Sequence, residues 1–270
     1  DGRREGPTLR YLSGATPADV LDGFTIRNGY YDIGGGINLD QASPTISHNR
    51  IVGNFAVQGA GIYGYHSSAV ITFNVIAANE HVPVMGETLY EPEAGGGIFL
   101  DGGTPIVRYN RISGNRAESG GGVYLKDAAN ADVRDNVIGG NGGGDAVQLS
   151  GGTSVFTNNT VAGNFGGIAV RGGAHACVNN LIASNTIGLA MPAGLSAFRN
   201  NCVFGNGADY VLWAPNPADN NINGDPRLVD LAYGDLHIGL GSACLDKGDD
   251  SVVLPGETDI SGAPRRSGHV

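Results

Sequence analysis

An asparagine followed five residues later by a second asparagine, with an aliphatic residue in between, recurs along this chain. The pairs are Asn49/Asn54, Asn74/Asn79, Asn110/Asn115, Asn136/Asn141, Asn159/Asn164, Asn180/Asn185 and Asn201/Asn206. Successive first members lie 25, 36, 26, 23, 21 and 21 residues apart. A fixed internal spacing repeated at a period in the low twenties marks a solenoid, in which each repeat buries its apolar face only by stacking on the next.

Alignment on the first asparagine of each pair separates the faces. Three residues before it stand Ile46, Ile71, Val107, Val133, Phe156, Cys177 and Phe198. Two residues after it stand Ile51, Ile76, Ile112, Ile138, Val161, Ile182 and Val203. These are the inward columns of two short strands that meet at an asparagine corner. An Asn at the same corner of every turn passes side-chain amide hydrogen bonds up the stack, so the asparagines read as scaffold and not as catalytic groups. After each second Asn and a loop of variable length comes a third strand, over 36–40, 61–65, 97–101, 122–126, 146–150, 167–171, 188–192 and 210–214. Strand alternation turns Ile37, Ile62, Ile98, Val123, Val147, Ile168, Leu189 and Val211 inward.

Three short strands per turn, each paired with its copy in the next, specify an all-β fold. It is a single-stranded right-handed parallel β-helix of three parallel sheets and about eight rungs, on the order of 40 Å long at ~4.8 Å per rung. The 46 glycines, more than twice the usual share of about 7%, supply its corners. The rungs are expected over residues 1–208, with a long insertion at 80–94. Beyond Asn206 the repeat decays through WAPNPADNNINGDPRLVD. Residues 209–270 are expected to form an irregular cap on the helix end, because bare strand edges invite end-to-end pairing.

The formal net charge is −10 and the lysines are Lys126 and Lys247 alone. A nucleic-acid partner requires the opposite sign, so none is expected. No apolar run reaches the length of a membrane span. The opening DGRREGPTLRYLSGATPADVLDGFTI already reads as strand, turn and strand, so a leader or earlier rungs are expected to have preceded it. Cys177, Cys202 and Cys244 show no metal-binding spacing. Cys177 falls in an inward column. Cys202 faces outward, where Cys244 reaches it only if the cap folds back over that rung.

ASPTISHNRIVGN and AGGGIFLDGGTPIVRYNRISGN resemble the repeats of secreted pectate-lyase-like β-helix proteins, and their Gly-Gly-Ile and Asn phrasing is similar to polymorphic outer-membrane proteins. VLDGFTIRNG resembles the first rung of such proteins. GDPRLVD, GDLHIGLGSACLDKGDD and TDISGAPRR resemble a C-terminal module of secreted bacterial β-helix proteins, with Cys244 where that module usually has alanine. The resemblance covers nearly the whole chain and implies a secreted protein, extracellular or at the cell surface. It spans lyases, glycosidases, epimerases and adhesins, and so fixes the fold more tightly than the activity.

The outward positions of the third strand form two columns. The first is Asn38, Tyr63, Phe99, Tyr124, Gln148, Ala169, Ala190 and Leu212; the second is Asp40, Tyr65, Asp101, Lys126, Ser150, Arg171, Pro192 and Ala214. Tyr63, Phe99 and Tyr124 offer flat apolar faces suited to sugar rings, with Asn38, Gln148 and His81 beside them. Against this, outward aromatics also simply pair along a sheet. The Glu- and Pro-rich insertion beside the same rungs favours binding. Asp101, Lys126 and Arg171 gather mixed charge. A uronan lyase needs a base for the proton α to the carboxylate and positive charge for the enolate. Lys126 would be the base, Tyr65 or His66 the proton donor, and Arg171 the carboxylate clamp. The simpler account is an Asp101–Lys126 surface ion pair of little energetic weight. Asp40 and Asp101, roughly 10 Å apart over two rungs, sit at the limit for an inverting glycosidase pair. The polygalacturonase Gly-His-Gly and epimerase Asp-Pro-His motifs are absent. His48 and His175 read as structural. No cofactor is expected; Asp246, Asp249, Asp250 and Asp259 would offer calcium oxygen ligands, though solvated loop charge accounts for them better. The leading expectation is a protein that binds polysaccharide along the third sheet, the alternatives being a polysaccharide lyase on that face or an adhesin spacer without a groove.

Overall fold

The computed structural model describes residues 1–83, 95–128, 130–192, 197–232 and 234–265. In each turn the chain passes through a first sheet, a corner, a second sheet and another corner to the third sheet, with a short sheet before the third in the first five turns. Strands Thr45–Ser47, Arg50–Val52, Phe55–Gln58 and Ile62–Tyr65 make one such turn. The first and second sheets each hold eight strands, the short sheet five and the third sheet nine, and within each the strands pair in parallel with the turns before and after. This is the expected right-handed parallel β-helix, with one addition. In the first five turns the segment ahead of the third strand forms a strand of a fourth, short sheet, as at Tyr30–Ile33 and Phe55–Gln58.

The inward columns interlock as the periodicity demands. Ile46, Ile71 and Val107 stack in the first sheet, Ile51, Ile76 and Ile112 in the second, and Ile37, Ile62 and Ile98 in the third, all fully buried in one core. The third strand carries a second inward column, including Leu39, Leu100, Leu125 and Leu149. At the far end the register slips by one residue from expectation. Leu189 pairs with Tyr210 and Ala190 with Val211, so Tyr210 and not Val211 faces the core. The slip lets Tyr210 and Phe198 each meet Trp213 edge-on at 5.5 Å, and this aromatic trio closes the end of the core.

Two buried asparagine ladders run the length of the coil. Asn110 is typical. Its backbone N–H and its Nδ2 donate to Asn136 Oδ1 at 2.9 and 3.0 Å. Nδ2 also donates to the Ile71 carbonyl at 2.8 Å. Its own Oδ1 accepts from the backbone N–H and Nδ2 of Asn74 at 2.9 and 3.1 Å. The second ladder repeats this from Asn54 to Asn206. Neither ladder ends in an unpaired amide. The first is extended by Asn221, which accepts from Asn201, and the second stops on the carboxylate of Asp209, which accepts from Asn206 at 2.8 Å.

The C-terminal segment is an end cap only in part. Its opening, through Trp213, and the stretch 219–222, which pairs with the last strand of the second sheet, cover the end of the coil; the chain beyond folds back along the flank of the rod as a strap. Leu231 lies beside Gly163 and Leu236 beside Gly139. Asp249 and Asn179 exchange hydrogen bonds, Arg199 binds Asp249 at 2.9 Å, and Arg265 reaches Asp135. Within the strap, Leu228–Asp230 and Asp235–Ile238 form an antiparallel hairpin.

Replacing Asn110 by Leu strands the Asn74 backbone N–H, which donates to Asn110 Oδ1, and removes the Nδ2 donor from the Ile71 carbonyl. The expected loss is about 1–3 kcal/mol, the cost of buried polar groups left unpaired, measured by chemical denaturation. A neutral result would be incompatible with a buried, continuous ladder.

Candidate functional site

From Asn38 to Ala190 the first outward column of the third sheet is not a surface; Leu212 at its end is exposed. Asn38, Tyr63, Phe99, Tyr124 and Gln148 are all buried, Phe99 to 1% exposure and Tyr124 to 4%. Tyr63, Phe99 and Tyr124 form a second apolar cluster, against which Ile33 of the short sheet packs. Tyr63 and Phe99 lie 5.4 Å apart with planes at 8°, so each covers a face of the other, and Tyr124 meets Phe99 edge-on at 4.9 Å. Rings on successive rungs stack along the rod axis, and the faces expected to receive sugar are spent on one another. Burial, then the Asp101 charge, raises the Tyr63 hydroxyl above its ordinary range. Asn38 Nδ2 donates to the Ile33 carbonyl at 3.2 Å. His81, half-buried in the short sheet, donates from Nδ1 to the Val57 carbonyl at 2.8 Å. The insertion expected to wall this face lies, from residue 84 to 94, outside the described residues.

The second outward column remains accessible. Asp40, Tyr65, Asp101, Lys126 and Ser150 follow one another in register. Tyr65 is 39% exposed, and the exposed His66 meets it edge-on at 4.3 Å. Lys126 Nζ lies 3.5 Å from Asp101. Arg171 does not join them: it sits beyond Ser150 and pairs with Asp145 at 3.3 Å. Burial raises the Asp145 carboxyl, and Arg171 opposes that shift. The expected base and carboxylate clamp thus belong to two separate ion pairs.

The row of rings that does reach solvent stands at the first asparagine corner. The residue before each first Asn takes a left-handed conformation, as in His48, Phe73, Tyr109, Asp135, Asn158, Asn179 and Asn200. That conformation turns their side chains outward one above another. His48 stacks on Phe73 at 5.2 Å and 3°, and Phe73 on Tyr109 at 4.8 Å and 13°. Phe73 is 45% exposed. His48 also holds Asp22 at 2.8 Å. His175 is buried between Ser154 Oγ and the Gly172 carbonyl, each at 2.8 Å, as a scaffold residue.

Below Tyr109 the corner column runs under the strap, where a charge network ties the two together. Arg108 pairs with Asp132; Arg134 bridges Asp132 at 2.6 Å and Glu257 at 3.4 Å; Arg265 binds Asp135. Three guanidiniums thus face three carboxylates. Asp135 is fully buried. Burial pushes its carboxyl up to about 7, against the pull of Arg265 and with the neighbouring Glu257 adding to the rise.

Beside this network the strap and the rod enclose a cleft of ≈ 730 Å³. The second sheet contributes Arg111, Val137, Thr160 and Leu181, the corner Asn158 and Asn179, and the strap Leu236, His237, Ile238, Asp246, Asp250 and Asp259. Its size lies within the range of small-ligand sites, and apolar walls alternate with carboxylates and amides. His237 sits between Asp235 at 2.5 Å and Ser261 Oγ at 3.0 Å. Five carboxylates, those of Asp135, Asp235, Asp246, Asp250 and Asp259, face two guanidiniums, Arg111 and Arg265. Among the described residues, no three His, Cys, Asp or Glu side chains gather as metal ligands. The sequence carried no signal for this cleft, because it depends on where an aperiodic strap lies.

Residues 18–187 match the family described as the right handed beta helix region. No curated protein and no solved structure matches the chain.

Two outcomes follow from this geometry. Tyr124→Ala is expected to cost about 3 kcal/mol or more in chemical denaturation, as removal of a buried ring does. Asp135 holds its proton more tightly folded than unfolded. Its contribution to stability is therefore fullest below pH about 4 and is lost as pH rises through about 7. Asp135→Asn is expected to flatten this part of the pH–stability profile between those limits, and an unchanged slope would contradict the raised carboxyl.

Proposed function

The chain belongs to the right-handed β-helix family, and we propose that it is an extracellular or cell-surface member that binds a neutral glycan. The observation that carries this is the cleft between rod and strap, with apolar patches beside clustered carboxylates and amides. A pyranose ring presents apolar C–H faces and a rim of hydroxyls. The Val137, Leu181 and Leu236 side chains suit the first, and Asn158, Thr160 and Asp250 suit the second. Sugar hydroxyls donate well to carboxylates, whose charge-assisted bonds are about twice as strong as neutral ones.

Charge selects among glycans. Even with the raised Asp135 set aside, carboxylates outnumber guanidiniums in the lining four to two, and the whole chain carries −10. Each acid on a uronan would enter against that field, whereas a neutral chain would not. On this reading Lys126 and Arg171 stabilise the third sheet locally, and no β-elimination is assigned to them.

Thr160→Arg fills the cleft from a half-exposed position of the second sheet. It is expected to lower affinity for a neutral oligosaccharide selected on a glycan array at least ~10-fold, the loss of about 1.4 kcal/mol, with unchanged denaturation. Tyr65→Ala and Lys126→Ala are expected to bind normally. Loss of binding in those two but not in Thr160→Arg would move the site to the third sheet. Absorbance rising near the ultraviolet edge on an acidic polysaccharide, abolished by Lys126→Ala, would identify a lyase instead. An array without any binding would leave a structural spacer.

A further inference from the structure

We propose that Cys202 and Cys244 are a disulfide-forming pair that locks the C-terminal strap to the last turns of the coil. The inference is independent of the ligand reading. Cys202 opens the last strand of the second sheet, Cys202–Phe204, and its side chain points away from the main core. It is buried nevertheless, in a satellite cluster with Leu181 and Ala183, against which Ile222, Leu228 and Cys244 of the returning chain pack. Backbone contacts fix the approach from both sides. Cys202 pairs with Ile222 in a parallel bridge, its Sγ lies 3.5 Å from the Gly224 carbonyl, and the Ala243 N–H donates to the Asp225 carbonyl at 3.0 Å. Cys244 packs against the cluster that holds Cys202, near enough for each thiol to perturb the other. The outward direction of Cys202 and the return of the strap over its rung thus together supply what the pairing requires.

The three cysteines differ in reactivity as this role demands. Cys244 is half-buried and opens onto the cleft, and the neighbouring Cys202, against the effect of burial and with help from Ser242, lowers its thiol to about 7. The lowered thiol is the one placed to attack, since the thiolate is the attacking species. Cys202, whose S–H reaches the Gly224 carbonyl, is raised by the neighbouring Cys244 and by burial. Cys177 faces the main core, and burial pushes it up to about 12. With a small oxidised disulfide such as glutathione disulfide as the oxidant, exchange proceeds in two displacements. Cys244 thiolate attacks one reagent sulfur and expels one thiolate. Cys202 then gives up its proton, attacks the Cys244 sulfur and expels the second. Two protein S–H bonds are replaced by one S–S bond, and the reagent leaves as two thiols carrying the two protons and two electrons.

Native protein incubated with glutathione disulfide, acid-quenched and digested without reduction, tests this by mass spectrometry. The expected product joins the Cys202 and Cys244 peptides with loss of two hydrogens, leaves Cys177 alkylatable only after unfolding, and forms faster in native protein than in urea. Proteolytic release of the strap is expected to slow on the order of 10-fold, as closing a loop of this length restricts the open ensemble, and to recover with dithiothreitol. Cys177→Ala is expected to behave as wild type, whereas Cys244→Ser removes both the cross-link and the oxidant-dependent protection. A lasting glutathione adduct on Cys244 without a cross-link, a bridge involving Cys177, or cross-linking no faster than in urea would each overturn the proposal.

Discussion

The buried side-chain amide of the corner asparagine is the interaction on which the coil depends. A sharp corner interrupts backbone pairing between turns and leaves carbonyl and N–H groups inside the wall, where unpaired groups are costly. One Asn side chain repairs both. Its Nδ2 donates to a carbonyl of the preceding turn, as Asn110 does to Ile71, and its Oδ1 accepts a backbone N–H of that same turn, as from Asn74. The ladder also aligns amide dipoles head to tail along the rod, an arrangement in which each bond polarises the next. Glutamine would overshoot the corner, and aspartate would stack like charges one rung apart. The carboxylate is tolerated where the ladder stops, at Asp209.

The same corner explains where the aromatic rings stand. Closing the turn requires a left-handed residue before each Asn. Ahead of the second Asn glycine often supplies it, as at Gly53 and Gly114, whereas ahead of the first it falls to His48, Phe73 and Tyr109. Left-handed backbone costs a non-glycine residue roughly 1–2 kcal/mol. Stacking of each ring on its neighbour, worth about 0.5–1.5 kcal/mol, offsets part of that. A column of rings on consecutive turns is therefore a device for holding the coil together, both at this corner and in the buried Tyr63–Phe99–Tyr124 cluster.

The fold was legible in the sequence because a solenoid prints its geometry as a period. The asparagine pairs and the Ile46, Ile51 and Ile37 columns place three sheets correctly. The short sheet was hidden because its strands, such as Glu80–His81 and Gly142–Gly143, keep no apolar alternation. Alternation around Tyr210 and Val211 fits either residue inside, and only the contact with Trp213 decides between them. For the candidate site, alternation correctly turned Tyr63 and Phe99 away from the main core. It did not reveal that rungs about 5 Å apart press such rings face to face. The split of Arg171 from Lys126 was equally out of reach, since Asp145 lies at the start of a strand that the period counted from Ala146. The cleft rests on contacts between residues more than a hundred positions apart, such as Arg134 with Glu257, and no local pattern encodes those.

These observations share a cause. Whatever a repeat presents outward, the next repeat presents again one rung away, and like side chains at that distance stack, pair or repel. A periodic wall therefore tends to consume its own recognition chemistry, as the aromatic columns and the Asp101–Lys126 pair both do. Concavity needs a segment that breaks the period and lies across the rungs. In the described residues the strap does this, held by the Asp135–Arg265 and Arg134–Glu257 contacts at one end and by the Cys202 cluster at the other. The rod then acts as a rigid ruler of corner and sheet side chains, and the strap turns part of that ruler into an enclosed space.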